Sequence, residues 1–92
     1  MKLEKGTKIY YGGDMANREG FGVITETGNI GYGDFVNIKM EDGRDIKQLS
    51  TCGFSEKYLG HGGTRFVTKK AYMNWKQETA DRFYRKYILK ET

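Results

Sequence analysis

The stretch VNIKMEDGRDI, residues 36–46, can close into a hairpin in two ways, and the choice decides the fold. A two-residue Asp42-Gly43 loop sets Met40 opposite Asp45 and Ile38 opposite Lys47. Facing residues share one face of a sheet, so that register carries charges into the core. A three-residue loop, Glu41-Asp42-Gly43, sets Ile38 against Ile46 and Lys39 against Asp45. Gly43 then takes the left-handed position of a bulged turn. The three-residue loop is the expected one.

The strand that enters this turn, DFVNIKM at 34–40, alternates with period two. Val36, Ile38 and Met40 share one face, and Phe35, Asn37 and Lys39 the other. Upstream, TKIYY at 7–11 is β-branched and aromatic and ends in two glycines. FGVITE at 21–26 reads as a second strand closed by TGN at 27–29, and TRFVT at 64–68 as a short last strand. The segment 49–63 is irregular, with Phe54, Tyr58 and Leu59 expected to tuck inward.

From Lys69 the period becomes helical. With residues about 100° apart, Trp75, Thr79, Tyr72, Phe83, Tyr87, Ala80, Met73 and Tyr84 fall in one half of the wheel. Gln77, Lys70, Asp81, Asn74, Arg85 and Glu78 fall in the other. Thr68 is the expected N-cap. Glu78–Arg82 and Asp81–Arg85 are spaced for i,i+4 ion pairs. Trp75 and Phe83 are expected to face the sheet, and the helix to fray near Ile88.

Composition narrows the function. The 92 residues make a single domain, residues 5–68 forming the β part and 69–88 the helix packed on it. Thirteen aromatic residues carry much of the apolar area. No apolar run approaches the about 18 residues of a membrane span, and MKLEKGTK has no apolar signal core. A cytoplasmic chain with no membrane partner is expected. Cys52 and His61 are the single cysteine and histidine. Four-ligand zinc sites and histidine-dependent triads need more, so neither a metal nor a catalytic set is expected, nor a small-molecule cofactor. Cys52 reads as a half-buried thiol. The net charge of +4 lies in the last quarter, where residues 69–92 hold seven Lys or Arg against three Asp or Glu. Residues 1–68 hold nine of each sign.

The order of strand, long glycine-edged loop, two strands, tight hairpin and short last strand resembles SH3-like small barrels of the KOW and Tudor types. The resemblance spans residues 5–67 and is carried by GTKIYYGG, GFGVI and VNIKMEDGRDI. The block YYGGDMANREGFG also looks like short uncharacterised proteins of bacteria and their phages. The ALYDY pattern of proline-binding SH3 domains is missing. The resemblance implies a mainly β, five-stranded SH3-like barrel with a C-terminal amphipathic helix. In such barrels the first long loop borders the ligand groove, which places Tyr11, Met15 and Arg18 on a binding rim.

Three further features complete the candidate surface. Tyr10, Tyr32 and Phe35 can present rings to bases or a cationic side chain, or pack beneath the helix. Lys70 and Arg85 stand for the basic helix, whose cations can neutralise phosphates. LGHGGTR at 59–65 lacks the spacing of a phosphate loop and leads into a strand. The expected function is therefore a non-enzymatic binding module that contacts nucleic acid, DNA or RNA, or a nucleoprotein complex. The alternative is a protein-interaction factor, of phage or mobile-element type, docking on a host protein.

Overall fold

The computed structural model describes residues 3–14, 17–31, 33–58 and 65–88. Met15, Tyr32, Leu59, His61 and Thr64 lie outside the described residues. Five strands run in the order β1 (Lys8–Tyr11), β2 (Gly20–Ile30), β3 (Gly33–Met40), β4 (Asp45–Ser50) and β5 (Phe66–Thr68), followed by α1 (Lys69–Tyr87). A 3-10 turn at Thr51–Gly53 follows β4.

The β3–β4 hairpin has the three-residue loop. Ile38 faces Ile46 and Lys39 faces Asp45, with Lys39 Nζ 3.4 Å from the Asp45 carboxylate. The Met40 N–H donates to Arg44 O at 2.8 Å and the Gly43 N–H to Met40 O at 3.0 Å. Gly43 has φ +95°, where a side chain is strained.

The β2–β3 hairpin departs from expectation. TGN does not close β2: the strand continues to Ile30, which pairs with Gly33. The physical reason is Gly28, which lies beneath Phe35. A Cβ there would stand 2.7 Å from that ring, so the missing side chain lets an aromatic residue cross the ladder. Asn29 Nδ2 donates to Asp34 Oδ1 at 2.9 Å on the next rung.

Two bulges meet at one residue. Register shifts fall at Ile24/Glu26 in β2 and between Val36 and Ile38 where β3 meets β4, and both flank Asn37. The Asn37 side chain accepts the Gln48 N–H at 2.7 Å and donates to Glu26 at 3.4 Å, while its carbonyl accepts from Thr25 Oγ1 at 3.2 Å. Gln48 has φ +52°, the one positive value outside glycine among the described residues. Bulges bend strands and increase twist, and here they curl the sheet around its core.

All pairings between named strands are antiparallel, in the order β4-β3-β2-β1-β5, and the sheet is not closed. Across the gap, the chain after β4 lies beside β5 through a parallel bridge from Phe54 to Phe66. Arg65 N donates to Gly53 O at 2.8 Å and Ser55 N to Phe66 O at 3.2 Å. The inner face holds the core of Ile9, Tyr11, Ile24, Val36, Ile38, Met40, Ile46, Leu49 and Phe66.

The outer face carries Tyr10, which pairs in register with Phe21 and Val67. There α1 docks, but only by its first two turns. Ala71, Tyr72 and Trp75 are half-buried, and from Lys76 to Ile88 every residue is exposed. Phe83 therefore does not face the sheet; it is 59% exposed. The helix outruns the sheet beneath it, and the molecule measures 57 × 26 × 24 Å. Its radius of gyration is 15.4 Å, against about 12 Å for a compact domain of this length.

Candidate functional site

The root of α1 is an aromatic cluster. Tyr72 stacks on Tyr10 with ring centres 3.8 Å apart and planes 11° from parallel. Phe21 meets both rings edge-on, at 5.5 Å and 5.6 Å. Tyr58 packs edge-on against Tyr10, Tyr72 and Trp75. Lys69 Nζ sits 4.9 Å above the Phe21 ring, and Thr68 Oγ1 caps the helix by accepting the Ala71 N–H at 3.1 Å. β5 runs directly into the helix, so this cluster sets the helix direction.

The two adjacent tyrosines of β1 point to opposite faces, and both phenols are tied to the first loop. Tyr10 OH donates to Glu19 and Tyr11 OH to Asp14. Burial, reinforced by these carboxylates, pushes the Tyr11 phenol up to about 12 and the Tyr10 phenol higher still. Burial also raises Tyr58. Asp14 also accepts the Asn17 N–H at 2.8 Å and lies 4.0 Å from the Arg65 guanidinium. The described part of the loop is thus bound down on the sheet, not a free rim.

The expected site residues do not converge. Tyr11 is fully buried in the core, so it cannot meet a partner; strand alternation turned it inward. Arg18 is exposed and faces the β3–β4 turn. There the Asp42 carboxyl is held below its usual range chiefly by the Arg44 backbone N–H, with a smaller contribution from Arg18. Lys70 borders a groove of about 260 Å³ beneath the helix, shared with Glu56, Asn74 and Glu78. Arg85 is on the projecting half of α1. Met15 and Tyr32 lie outside the described residues. The aromatic trio is also divided: Tyr10 is beneath the helix, whereas Phe35 lines a separate groove of about 570 Å³ with Leu3 and Phe54. Asp34 is that groove's single ionisable lining residue among those described. Cys52 is exposed, not half-buried.

What the fold presents is the outer half of α1. Met73, Phe83, Tyr84, Tyr87 and Ile88 are 46–59% exposed. Lys76, Arg82, Arg85 and Lys86 are exposed beside them. The i,i+4 ion pairs do not form; Asp81 instead accepts from Gln77 Nε2 at 3.0 Å. None of the ion pairs among the described residues involves a helix cation. Phe83 is expected to face the sheet because it falls in the same half-wheel as Trp75, but the structure leaves it exposed. The width of that arc was the available clue, since an apolar stripe docked on one surface is narrower.

Among the described residues, no cluster of three His, Cys, Asp or Glu can hold a metal ion, and no helix is long and apolar enough to cross a membrane. No protein-family model, curated protein or solved structure matches the chain.

Proposed function

We propose that the protein is a non-enzymatic binding module with an SH3-like scaffold, and that the projecting helix is the element it offers to nucleic acid or a nucleoprotein complex. The strand order β4-β3-β2-β1-β5 supports the scaffold reading, as does the 3-10 turn between β4 and β5. The open gap between β4 and β5 is its departure from a closed barrel.

The observation that carries the functional half is the set of exposed helix cations, none of them in an ion pair among the described residues, together with the exposed rings of the same helix. Unneutralised Lys and Arg release counterions from phosphates, and rings stack on unpaired bases. The contact surface is α1, with Lys70 and Arg85, and not the first loop, where Tyr11 is buried. A cytoplasmic location is part of the same proposal.

The test is binding to duplex DNA, single-stranded DNA and RNA across a salt series. Affinity should fall steeply as salt rises. The triple variant Arg82→Ala, Arg85→Ala, Lys86→Ala should reduce the salt slope by about three. Absence of binding at low salt, or an unchanged slope in the variant, overturns the reading. Protein docking would then take its place, a second reading favoured by the exposed apolar residues of the same helix.

A further inference from the structure

The apolar residues of α1 form two stripes, and only one is used. Taking about 100° per residue, Tyr72 and Trp75 point together toward the sheet. Met73, Ala80, Tyr84 and Tyr87 point about 90–150° away from the mean direction of that pair, toward solvent. Met73, Ala80 and Tyr87 recur at intervals of seven, with Tyr84 between the last two, which is the spacing of a helix-pairing seam. Arg82 and Arg85 lie on the back of the same half-helix, while Lys86 reaches over the Tyr87 ring, its Nζ 5.2 Å from the centre.

We infer that this second stripe pairs with the same stripe of a second copy, the two helices running antiparallel and crossing at Ala80. The pattern is self-complementary about that residue. Met73 of one copy meets Tyr87 of the other, a favourable sulfur–ring contact. Lys76, at the stripe's edge, meets Tyr84, its stem against the ring and its ammonium near the ring face. Two alanines meet at the centre, where small side chains let the helices approach. A parallel pairing sets Lys76 against Lys76 and aligns the helix dipoles. It also brings the two sheets side by side at one end, whereas antiparallel pairing puts them at opposite ends.

The area suits a weak dimer. Two half-exposed rings with Met73, Ala80 and the Lys76 stem offer on the order of 350 Å² per copy at about 200 Å² for a whole ring. Two copies then bury about 700 Å², the size of a weak, concentration-dependent contact. Pairing leaves Arg82 and Arg85 outward, so it goes beyond the proposed phosphate contacts and does not depend on them, but it covers Tyr84 and Tyr87 and leaves Phe83 as the exposed ring open to a base.

Sedimentation of the full chain over about a hundredfold concentration range, with nuclease-treated protein, reads the pairing. A reversible dimer at high concentration is expected, and raised salt should preserve it, opposite to its effect on phosphate binding. The double variant Tyr84→Ser, Tyr87→Ser should be monomeric with unchanged helix content and Trp75 fluorescence. In a Cys52→Ser background, mixed Met73→Cys and Tyr87→Cys chains should cross-link to each other on mild oxidation, and little to themselves. A monomer at every concentration overturns the inference. So does a dimer that survives the double variant, or a Met73→Cys chain that links chiefly to its own kind.

Discussion

Replacing Tyr72 by alanine should undock the helix, while replacing Phe83, eleven residues on, should do almost nothing. The contrast follows from where each ring sits. Tyr72 is half-buried and stacked on Tyr10, so about 100–150 Å² of ring leaves the protein interior in the variant. At about 25 cal/mol per Å² that is about 2.5–4 kcal/mol, an upper value because the unfolded chain also hides some ring area. Losing the stacked pair adds about 1 kcal/mol, and the net expectation is a loss of about 3 kcal/mol. Phe83 touches Tyr87 and solvent, and its loss should fall within about 0.5 kcal/mol of zero in the monomer.

Trp75 makes the assay specific. It is the single tryptophan, and its ring stands 4.7 Å from Tyr58 at the helix root. Urea unfolding followed by its fluorescence reports on docking, and far-ultraviolet circular dichroism reports on the sheet and helix together. In Tyr72→Ala the fluorescence transition should move to lower urea. It should move at least as far as the dichroism transition, since the inner core of nine residues is untouched. A Tyr72→Ala protein as stable as the parent would refute the docking geometry. So would a Phe83→Ala protein that loses as much as Tyr72→Ala.

Three further outcomes are expected. Gly43→Val should cost more than about 1 kcal/mol in a thermal melt, because its φ of +95° excludes a β-branched residue. Asn37→Ala should cost about 0.5–1.5 kcal/mol by urea titration, since it removes the acceptor of the exposed Gln48 N–H at the bulge, which water can then reach. Stability should hold up to about pH 10 and then fall, as measured by urea unfolding at stepped pH. The Tyr10 and Tyr11 phenols keep their protons in the fold above the pH at which the unfolded chain loses them. Tyr11→Phe should flatten part of that decline.

The hairpin at 36–46 was legible because one register alone kept charge out of the core, a test that needs no tertiary knowledge. The start of α1 was legible for a similar reason, as Thr68 is the residue type that caps a helix. TGN at 27–29 misled because turn chemistry and close packing both call for glycine. Only the position of Phe35 over Gly28 decides between them. Tyr10 and Tyr11 posed a question of parity. Alternation says that neighbours face opposite sides, but not that both sides of this strand are covered. The inner core fills Tyr11's side and turns it from a rim residue into a core residue, while the helix covers Tyr10 on the other side.

The same reasoning explains why the candidate surface lies where it does. An antiparallel sheet with a filled inner face has one more face to offer a helix. Here β1 with Phe21 and Val67 is the patch on which it docks. That patch is short: β1 has four residues and β5 three. Four residues of strand span about 13 Å, whereas the 19 residues of α1 span about 28 Å. On this short patch the helix is held only by its first two turns, and from Lys76 onward it is exposed. A stretch meant only for solvent would carry polar residues there. This one instead carries Phe83, Tyr84, Tyr87 and Ile88 exposed on one side and Arg82 and Arg85 on the other, with Lys86 over Tyr87, and that is why the proposed contact is assigned to the overhang.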